Sequence, residues 1–230
     1  SCVDTCPTQA ISWRRGAGLA PWQDYDPSRR QLLASLGAVL GMVLLRITTG
    51  TRDTSQWLIR PPGAEPEYFV SQCIRCGECL KVCPTGGLQP SASVSGWDEL
   101  WTPMLVPRLG YCDYACNSCG NVCPTGAIPK LSLDNKRRTV IGIAHIDQEH
   151  CIPWAENRDC IVCEEMCPVP QKAIRLEDYI VLNDQGNVTT VRRPGVVYDL
   201  CVGCGICEYQ CPVSGESAIR IYAEDKLLSK

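Results

Sequence analysis

The longest apolar stretch of the chain runs from Leu32 to Leu45 and contains two glycines. Ser28-Arg29-Arg30 stands shortly before it. A twin arginine ahead of a moderately apolar, glycine-bearing segment is typical of a twin-arginine export signal. The pattern therefore predicts one hydrophobic helix over residues 28–48. We expect it to act as a signal or an anchor, since no clear cleavage sequence follows it.

This predicted helix is short for a membrane span. About 14 to 16 apolar residues at about 1.5 Å each reach roughly 21 to 24 Å, against a hydrocarbon core of about 30 Å. Snorkelling of Arg30 and Arg46 would lengthen that reach. A buried core helix is the alternative, although the apolar residues do not keep to one helix face.

The stretch after this helix is a polar connector, predicted over residues 49–67. It contains Pro61-Pro62-Gly63, which cannot continue a helix. The globular part is therefore expected over residues 68–225. Within it, residues 86–110 have little periodicity and predict an irregular loop that covers an internal site or meets a partner. Packing over the site is the favoured role for its tryptophans, Trp101 among them.

Strand patterns occur farther along the chain. Residues 139–146 are rich in β-branched side chains, and Asp134-Asn135 before them indicates a hairpin turn. A second hairpin is predicted from strands at residues 179–182 and 188–191, joined by a turn at 183–186. These helices and strands lie between four groups of cysteines, so the chain predicts an α+β fold of two repeated lobes.

The cysteine motif is the strongest chemical signal in the chain. Cys201, Cys204, Cys207 and Cys211, with Pro212 after them, have the C-x2-C-x2-C-x3-C-P spacing that binds [4Fe–4S] clusters in bacterial ferredoxins. The pattern occurs four times, once more with the same spacing and twice with a wider first gap. We expect four [4Fe–4S] clusters, two in each of two ferredoxin-like lobes, with the sixteen ligands drawn from the 18 cysteines. The ligands are Cys73, Cys76, Cys79 and Cys83; Cys112, Cys116, Cys119 and Cys123; Cys151, Cys160, Cys163 and Cys167; and Cys201, Cys204, Cys207 and Cys211.

Two other interpretations of a cysteine-rich chain are a disulfide scaffold and zinc sites. Disulfide scaffolds scatter cysteines over loops, whereas these are bunched, and each fourth cysteine precedes a proline. Structural zinc sites use two cysteine pairs rather than a triplet with a distant fourth. The cysteines suffice for every iron, so His145 and His150 are expected to be ordinary strand and turn residues.

The motifs leave open which cysteines share a cluster. In two-cluster ferredoxins the fourth cysteine of one motif binds the cluster of the other. Sequential pairing joins motif one with two and three with four, whereas nested pairing joins one with four and two with three. We favour nested pairing because the two regular motifs are the outer ones, so Cys211 would complete the first cluster and Cys167 the second. Each Cys-Pro pair is also expected to begin a helix, where proline fits the first turn.

Composition limits what else the chain can do. Among 230 residues there is one phenylalanine, so a core of side chains alone would have little aromatic volume. Clusters would supply the missing cross-links, and the metal-free chain is expected to be largely unfolded. The formal net charge of −3 does not indicate nucleic-acid binding. Glu164 and Glu165, next to Cys163, predict a lower reduction potential for that cluster.

The first residues repeat the end of a cluster motif without its front cysteines. Cys2, Cys6 and Pro7 have the x3-C-P spacing, and Thr-x-Ala-Ile follows as it does after Cys123. We interpret residues 1–27 as the C-terminal remnant of an upstream ferredoxin-type motif. Cys2 and Cys6 are not expected to be ligands within this chain.

Together, these features resemble the ferredoxin-type proteins of the NapG/MauM kind. The likeness rests on Ser28-Arg29-Arg30, the four cysteine motifs, and the pieces Trp101-Thr-Pro103 and Gly110-Tyr-Cys112. It covers about residues 28–223. The first 11 residues resemble the tail of a NapH-type membrane protein, which implies such a partner, fused upstream in a longer chain.

The resemblance implies a membrane-anchored electron carrier whose globular part is periplasmic. It would take electrons from a quinol-oxidising NapH-like protein to a periplasmic cytochrome or a reductase such as nitrate reductase. Clusters with four thiolate ligands transfer single electrons, and no motif lacks a cysteine, so no catalytic site is expected. A docked iron–sulfur subunit of another oxidoreductase, an assembly factor and a structural metal module remain as alternatives.

Overall fold

The computed structural model describes residues 28–49, 58–92, 99–182 and 188–223, and the side chains of 42–49 are not included. The chain divides into two compact units, residues 1–52 and residues 53–230. The second unit contains all four complete cysteine motifs. Cys2, Cys6, Trp97 and the turn predicted at residues 183–186 lie outside the described residues.

The first unit contains helix α1, Arg29–Thr49. Ser28 and Gln31 cap its start, because the Gln31 amide donates to Ser28 Oγ and the Ser28 amide donates to Gln31 Oε1. Its leucines up to Leu40 are exposed, with Leu33 at 73%. A helix thus occupies the segment where the sequence predicts one. Among the described residues, no helix combines the length and apolar character that crossing a membrane requires.

The second unit is packed from Leu58 onward, ahead of Tyr68, where the sequence predicts its start. Ile59 is 1% exposed, and its carbonyl accepts a 2.8 Å hydrogen bond from the Leu105 amide. Arg60 pairs with Glu99 over 2.9 Å. The last part of the predicted connector therefore belongs to the core, since Leu58 and Ile59 are both buried. Helix α2, Pro66–Gln72, follows them.

Four short helices accompany the cysteine motifs, and they lie ahead of the fourth cysteine of each motif. They are α3 (Glu78–Lys81), α4 (Ser118–Val122), α7 (Val162–Glu165) and α8 (Ile206–Tyr209). The expectation that each Cys-Pro pair begins a helix is therefore wrong. A residue before proline is forced out of the helical region by its ring, and Cys123 is accordingly extended, with φ −69° and ψ 113°.

The described strands form three two-stranded antiparallel sheets. The hairpin predicted around residue 185 is present as β4 (Ile174–Leu182) and β5 (Val188–Val196). The loop predicted over residues 86–110 instead contains β1 (Leu88–Pro90) paired with β2 (Pro103–Leu105). Strand β3 (Ile143–Ile146) pairs with β6 (Ile219–Tyr222) near the end of the chain.

A helix stands where Asp134-Asn135 predicts a hairpin turn. Helix α5, Leu133–Arg138, begins after Ser132, whose side chain accepts a 3.2 Å hydrogen bond from the Asn135 amide. Asp134 lies in its first turn and three basic residues lie in its last turn, an order that suits the helix dipole. The remaining elements are α6, Ile152–Ala155, and a 3₁₀ helix, Tyr198–Leu200.

The core of the second unit is small in volume and rich in sulfur. Its buried apolar residues include Phe69, Leu105 and Ile221, together with Cys79, Cys201 and other cysteines. The motif cysteines thus occupy positions that large apolar side chains would fill in an ordinary core. The described residues have the mixed helix and strand content that the sequence predicts.

Candidate metal centres

The sixteen motif cysteines are all free thiols. Three cavities are each lined by four of them. The thiols sort into four sets, and we name each by the motif that supplies its triplet. The first set is Cys73, Cys76, Cys79 and Cys123; the second is Cys112, Cys116, Cys119 and Cys83; the third is Cys151, Cys160, Cys163 and Cys211; the fourth is Cys201, Cys204, Cys207 and Cys167.

These sets correct the pairing that the sequence favours. The fourth cysteine crosses from motif one to motif two and back, and likewise between motifs three and four. The nested pairing is therefore wrong, and the sequential pairing holds. Cys211 lies with the third triplet rather than the first, and Cys123 lies with the first triplet rather than the third. The regular spacing of the outer motifs is a local property and does not decide which motifs are neighbours.

The members of the fourth set are identified by their mutual electrostatics. Burial raises the pKa of Cys201, and the charge of Cys167 adds to the increase. Burial also raises the pKa of Cys204 to about 12, with contributions from Cys201 and Cys167. Burial is also the main cause of the pKa shift of Cys207, which is raised well above its ordinary value. These thiols are therefore protonated near pH 7 unless a cationic group binds them.

Backbone amides point at the sulfur atoms. The amide of Ile128 lies 3.4 Å from Cys123 Sγ, and the amide of Ala173 lies 3.4 Å from Cys167 Sγ. Burial disfavours the thiolate of Cys83, but hydrogen bonds from the Thr85 hydroxyl and nearby amides outweigh it and lower the pKa of Cys83. Such donors stabilise negative charge on sulfur and tune the potential of a cluster.

A close backbone contact fixes the loop of the fourth motif. Gly203 has φ +71°, and a Cβ atom there would lie 2.2 Å from the Gly142 carbonyl oxygen. Next to it, the Ile141 amide donates a 3.1 Å hydrogen bond to the Val202 carbonyl. This docks the start of β3 on the ligand loop and brings the Ala144 amide to 3.4 Å from Cys201 Sγ.

The four sets follow a spatial order that differs from chain order. The Cys112 amide donates a 2.7 Å hydrogen bond to the Cys204 carbonyl, so the second set adjoins the fourth. The charge of Cys79 contributes to the raised pKa of Cys119, which links the first set to the second. The charge of Cys163 contributes in the same way to the raised pKa of Cys207, which links the third set to the fourth. The order is therefore first, second, fourth, third.

The donor sets fit [4Fe–4S] clusters better than single ions. Within the described ranges, no three His, Cys, Asp or Glu side chains gather as they would around one metal ion. A cube instead takes one thiolate at each of four irons, so its four ligands surround a volume rather than a point. Four free thiols around a cavity, approached by amide donors, have that arrangement.

The histidines are placed as the sequence predicts. His145 lies on β3 and packs edge-to-face against Tyr222, with ring centroids 6.2 Å apart. His150 is exposed, and its Nδ1 lies 2.7 Å from Asp147 Oδ2. Trp101 lines the cavity of the first set but is 63% exposed, so it covers that set only in part.

Three basic residues near the thiol sets carry no signal in the cysteine motifs and were missed. Arg108 donates to the carbonyls of Glu208, Cys211 and Val213 at 2.8 to 3.2 Å. Lys172 donates to the carbonyls of Glu164, Glu165 and Cys167 at 2.9 to 3.0 Å. Lys136 donates to the Asp113 carbonyl beside Cys112. All three contacts join residues from different parts of the fold or opposite ends of a loop, and spacing alone does not predict them.

Comparisons with known proteins agree with this chemistry. A family model for a 4Fe-4S dicluster domain matches residues 1–87, a range that includes Cys2, Cys6 and the whole first motif. The methylamine utilization ferredoxin-type protein MauM of Methylorubrum extorquens is 33% identical over 208 residues, 85% of this chain and 89% of that protein. The ferredoxin-type protein NapG of Escherichia coli is 36% identical over 195 residues, 82% of this chain and 78% of that protein.

Proposed function

The chain belongs to the family of ferredoxin-type [4Fe–4S] electron-transfer proteins that includes MauM and NapG, and from this premise we propose that its four thiol sets hold four clusters. We propose further that it carries electrons from a quinol-oxidising membrane protein to a periplasmic cytochrome or reductase. The observation that supports the first proposal most strongly is the convergence of four cysteines, from two motifs, in each set.

The thiol sets supply ligands and nothing that would act on a substrate. When bound, a cube with four thiolate ligands accepts and donates one electron at a time. Each set offers four cysteines, so none of the irons would be left open for a substrate. Burial and the amide donors at Cys123, Cys167 and Cys201 are the chain's own means of setting the potentials.

The spatial order gives the chain two ends. The first and third sets lie at the outside of the order, and the second and fourth sets lie between them. Cys76 of the first set is exposed, and Ile74 and Trp101 beside it are 62% and 63% exposed. We assign this end to contact with a redox partner, because an exposed ligand and exposed apolar side chains give a partner close access.

The membrane side of the proposal rests on the N-terminal region. Ser28-Arg29-Arg30 stands at the start of α1, and the apolar side chains of that helix are exposed. A membrane or a binding partner would remove them from water. We assign α1 to a twin-arginine signal or anchor that places the second unit in the periplasm. Residues 1–27 would then belong to a NapH-type partner, fused upstream.

Membranes that contain the protein and its quinol-oxidising partner test the direction of transfer. Addition of a quinol should produce the EPR signals of reduced clusters, and an oxidised periplasmic acceptor should then remove them. Membranes without the partner serve as the control. Clusters that quinol never reduces, in a preparation that dithionite does reduce, would contradict the proposed direction and favour an assembly factor.

A further inference from the structure

Lys136 is a buried cation without a carboxylate partner among the described residues. Its side chain is 5% exposed, and its ammonium donates to the Asp113 carbonyl and lies 5.9 Å from the Tyr114 ring. The ion pairs in the described ranges involve other basic residues. A buried ammonium is unfavourable unless negative charge compensates it. A negatively charged group near the Lys136 ammonium must therefore compensate it.

Helix α5 holds Lys136 in this position. Ser132 caps the helix, and its carbonyl accepts a 2.9 Å hydrogen bond from the Lys136 amide. Arg138 in the same turn is exposed, and Arg137 pairs with Asp134 over 3.6 Å at the surface. Of the three basic side chains of the helix, Lys136 alone is buried, whereas Arg138 is exposed and Arg137 is half-buried against the Tyr114 ring. A merely solubilising role for Lys136 does not fit this arrangement.

The Lys136 ammonium lies beside the second thiol set, because it donates to the carbonyl of Asp113, which follows Cys112 and lines the cavity of that set. Burial raises the pKa of Cys112, and the charge of Lys136 together with a hydrogen bond from it opposes that increase. Arg108 and Lys172 differ from Lys136, because each of them donates to three backbone carbonyls. Lys136 has one carbonyl contact among the described residues, and it lies beside Cys112, a ligand of the second set. Cys112 is also the residue whose amide binds the Cys204 carbonyl, at the junction of the second and fourth sets.

We propose that Lys136 is a positioning residue that raises the reduction potential of the second set, where that set adjoins the fourth. Adding an electron to a four-thiolate site adds one negative charge, and a fixed ammonium at Cys112 stabilises that charge. The inference rests on the proposed cluster function but not on the donor or the direction of transfer. It concerns the transfer of an electron between the second and fourth sets.

Redox titration of the loaded protein, followed by EPR, tests this role. Lys136→Gln should make reduction of one cluster at least tenfold less favourable at a given potential, about 59 mV for a one-electron couple. The other midpoints should stay unchanged. Lys136→Arg keeps the charge and should restore the wild-type midpoint. Lys130→Gln removes the same charge from an exposed position and should move no midpoint. Unchanged midpoints in Lys136→Gln would overturn the inference.

A measurement on the wild-type protein covers the case in which Lys136→Gln fails to fold or to load iron. With ¹⁵N-labelled lysine, one side-chain ammonium should show a paramagnetic shift in the loaded protein, and that signal should be missing from Lys136→Arg. No shifted lysine signal would overturn the inference. If the wild-type protein holds no reducible cluster, the proposed function fails; if it holds four and Lys136→Gln changes none, only the role of Lys136 fails.

Discussion

The amide of Cys112 donates a 2.7 Å hydrogen bond to the carbonyl oxygen of Cys204. This bond joins residues of the second and fourth cysteine motifs, which the third motif separates in the sequence. It makes the second and fourth thiol sets neighbours and leaves the first and third at the two ends. The chain therefore brings its motifs together in an order that the sequence does not follow.

The pairing of cysteines can be tested with alanine variants. Cys76→Ala and Cys123→Ala should damage the same cluster, so the double variant should lose no more iron than either single variant. Cys76→Ala combined with Cys211→Ala should damage two clusters and lose about twice as much. Iron analysis and EPR of the reduced proteins give the readout. The reverse result, with Cys76 and Cys211 acting as one unit, would restore the nested pairing.

Gly203 should not tolerate a side chain. Gly203→Ala would place a Cβ atom 2.2 Å from the Gly142 carbonyl oxygen, on backbone with φ +71°. We expect about 1–2 kcal/mol from the left-handed conformation and about 1–3 kcal/mol from overpacking. The fourth set should then bind less iron, and thermal unfolding should occur at lower temperature. Gly215→Ala is the matched control, because it shares a positive φ of +77° but meets nothing within 4 Å. Equal losses in both variants would contradict the contact.

Removal of iron should unfold the second unit, and alkaline pH should remove what structure remains. Burial raises the pKa of Cys119 and of Cys163 to about 12, from 9.0 in an exposed thiol. Between about pH 9 and 12 the unfolded chain therefore holds fewer protons than the folded chain, and stability falls as pH rises. Circular dichroism of the metal-free protein at pH 7 and pH 10 measures both effects. A native spectrum with cooperative melting in the metal-free protein would contradict this prediction.

Glu164 is predicted to lower one reduction potential. It follows Cys163, and a nearby negative charge disfavours an added electron. Glu164→Gln should therefore raise one midpoint in a redox titration, and the other three should not move. Glu177→Gln, an exposed change of the same charge on β4, is the control. Lys172 donates to the Glu164 carbonyl at 3.0 Å, so its charge offsets part of the effect. If no midpoint moves in Glu164→Gln, the carboxylate does not act on the cluster.

The local parts of the fold could be predicted from the sequence. Each cysteine triplet lies within a short segment, and its spacing already specifies a ligand loop. The β4–β5 hairpin was predictable because two strand patterns flank one turn. Helix α5 also has a signal in the sequence, since Ser132 precedes an acidic first turn and a basic last turn, but Asp134-Asn135 is equally typical of a turn.

The long-range parts could not be predicted. The partner of each fourth cysteine depends on which motifs fold against each other, and spacing within a motif does not contain that information. Strands β1 and β2 each include a proline, Pro90 and Pro103, which weakens a strand pattern although both fit a short edge pair. Lys136 is one of three basic residues in α5, and only the packing shows that it turns inward.

Iron and sulfide analysis, combined with EPR of the reduced protein purified without air, tests the central claim most directly. Four sets of four thiolates predict about sixteen irons and as many inorganic sulfides per chain, with EPR signals from four interacting reduced clusters. A colourless preparation without iron, or one that holds zinc in its place, would contradict the claim.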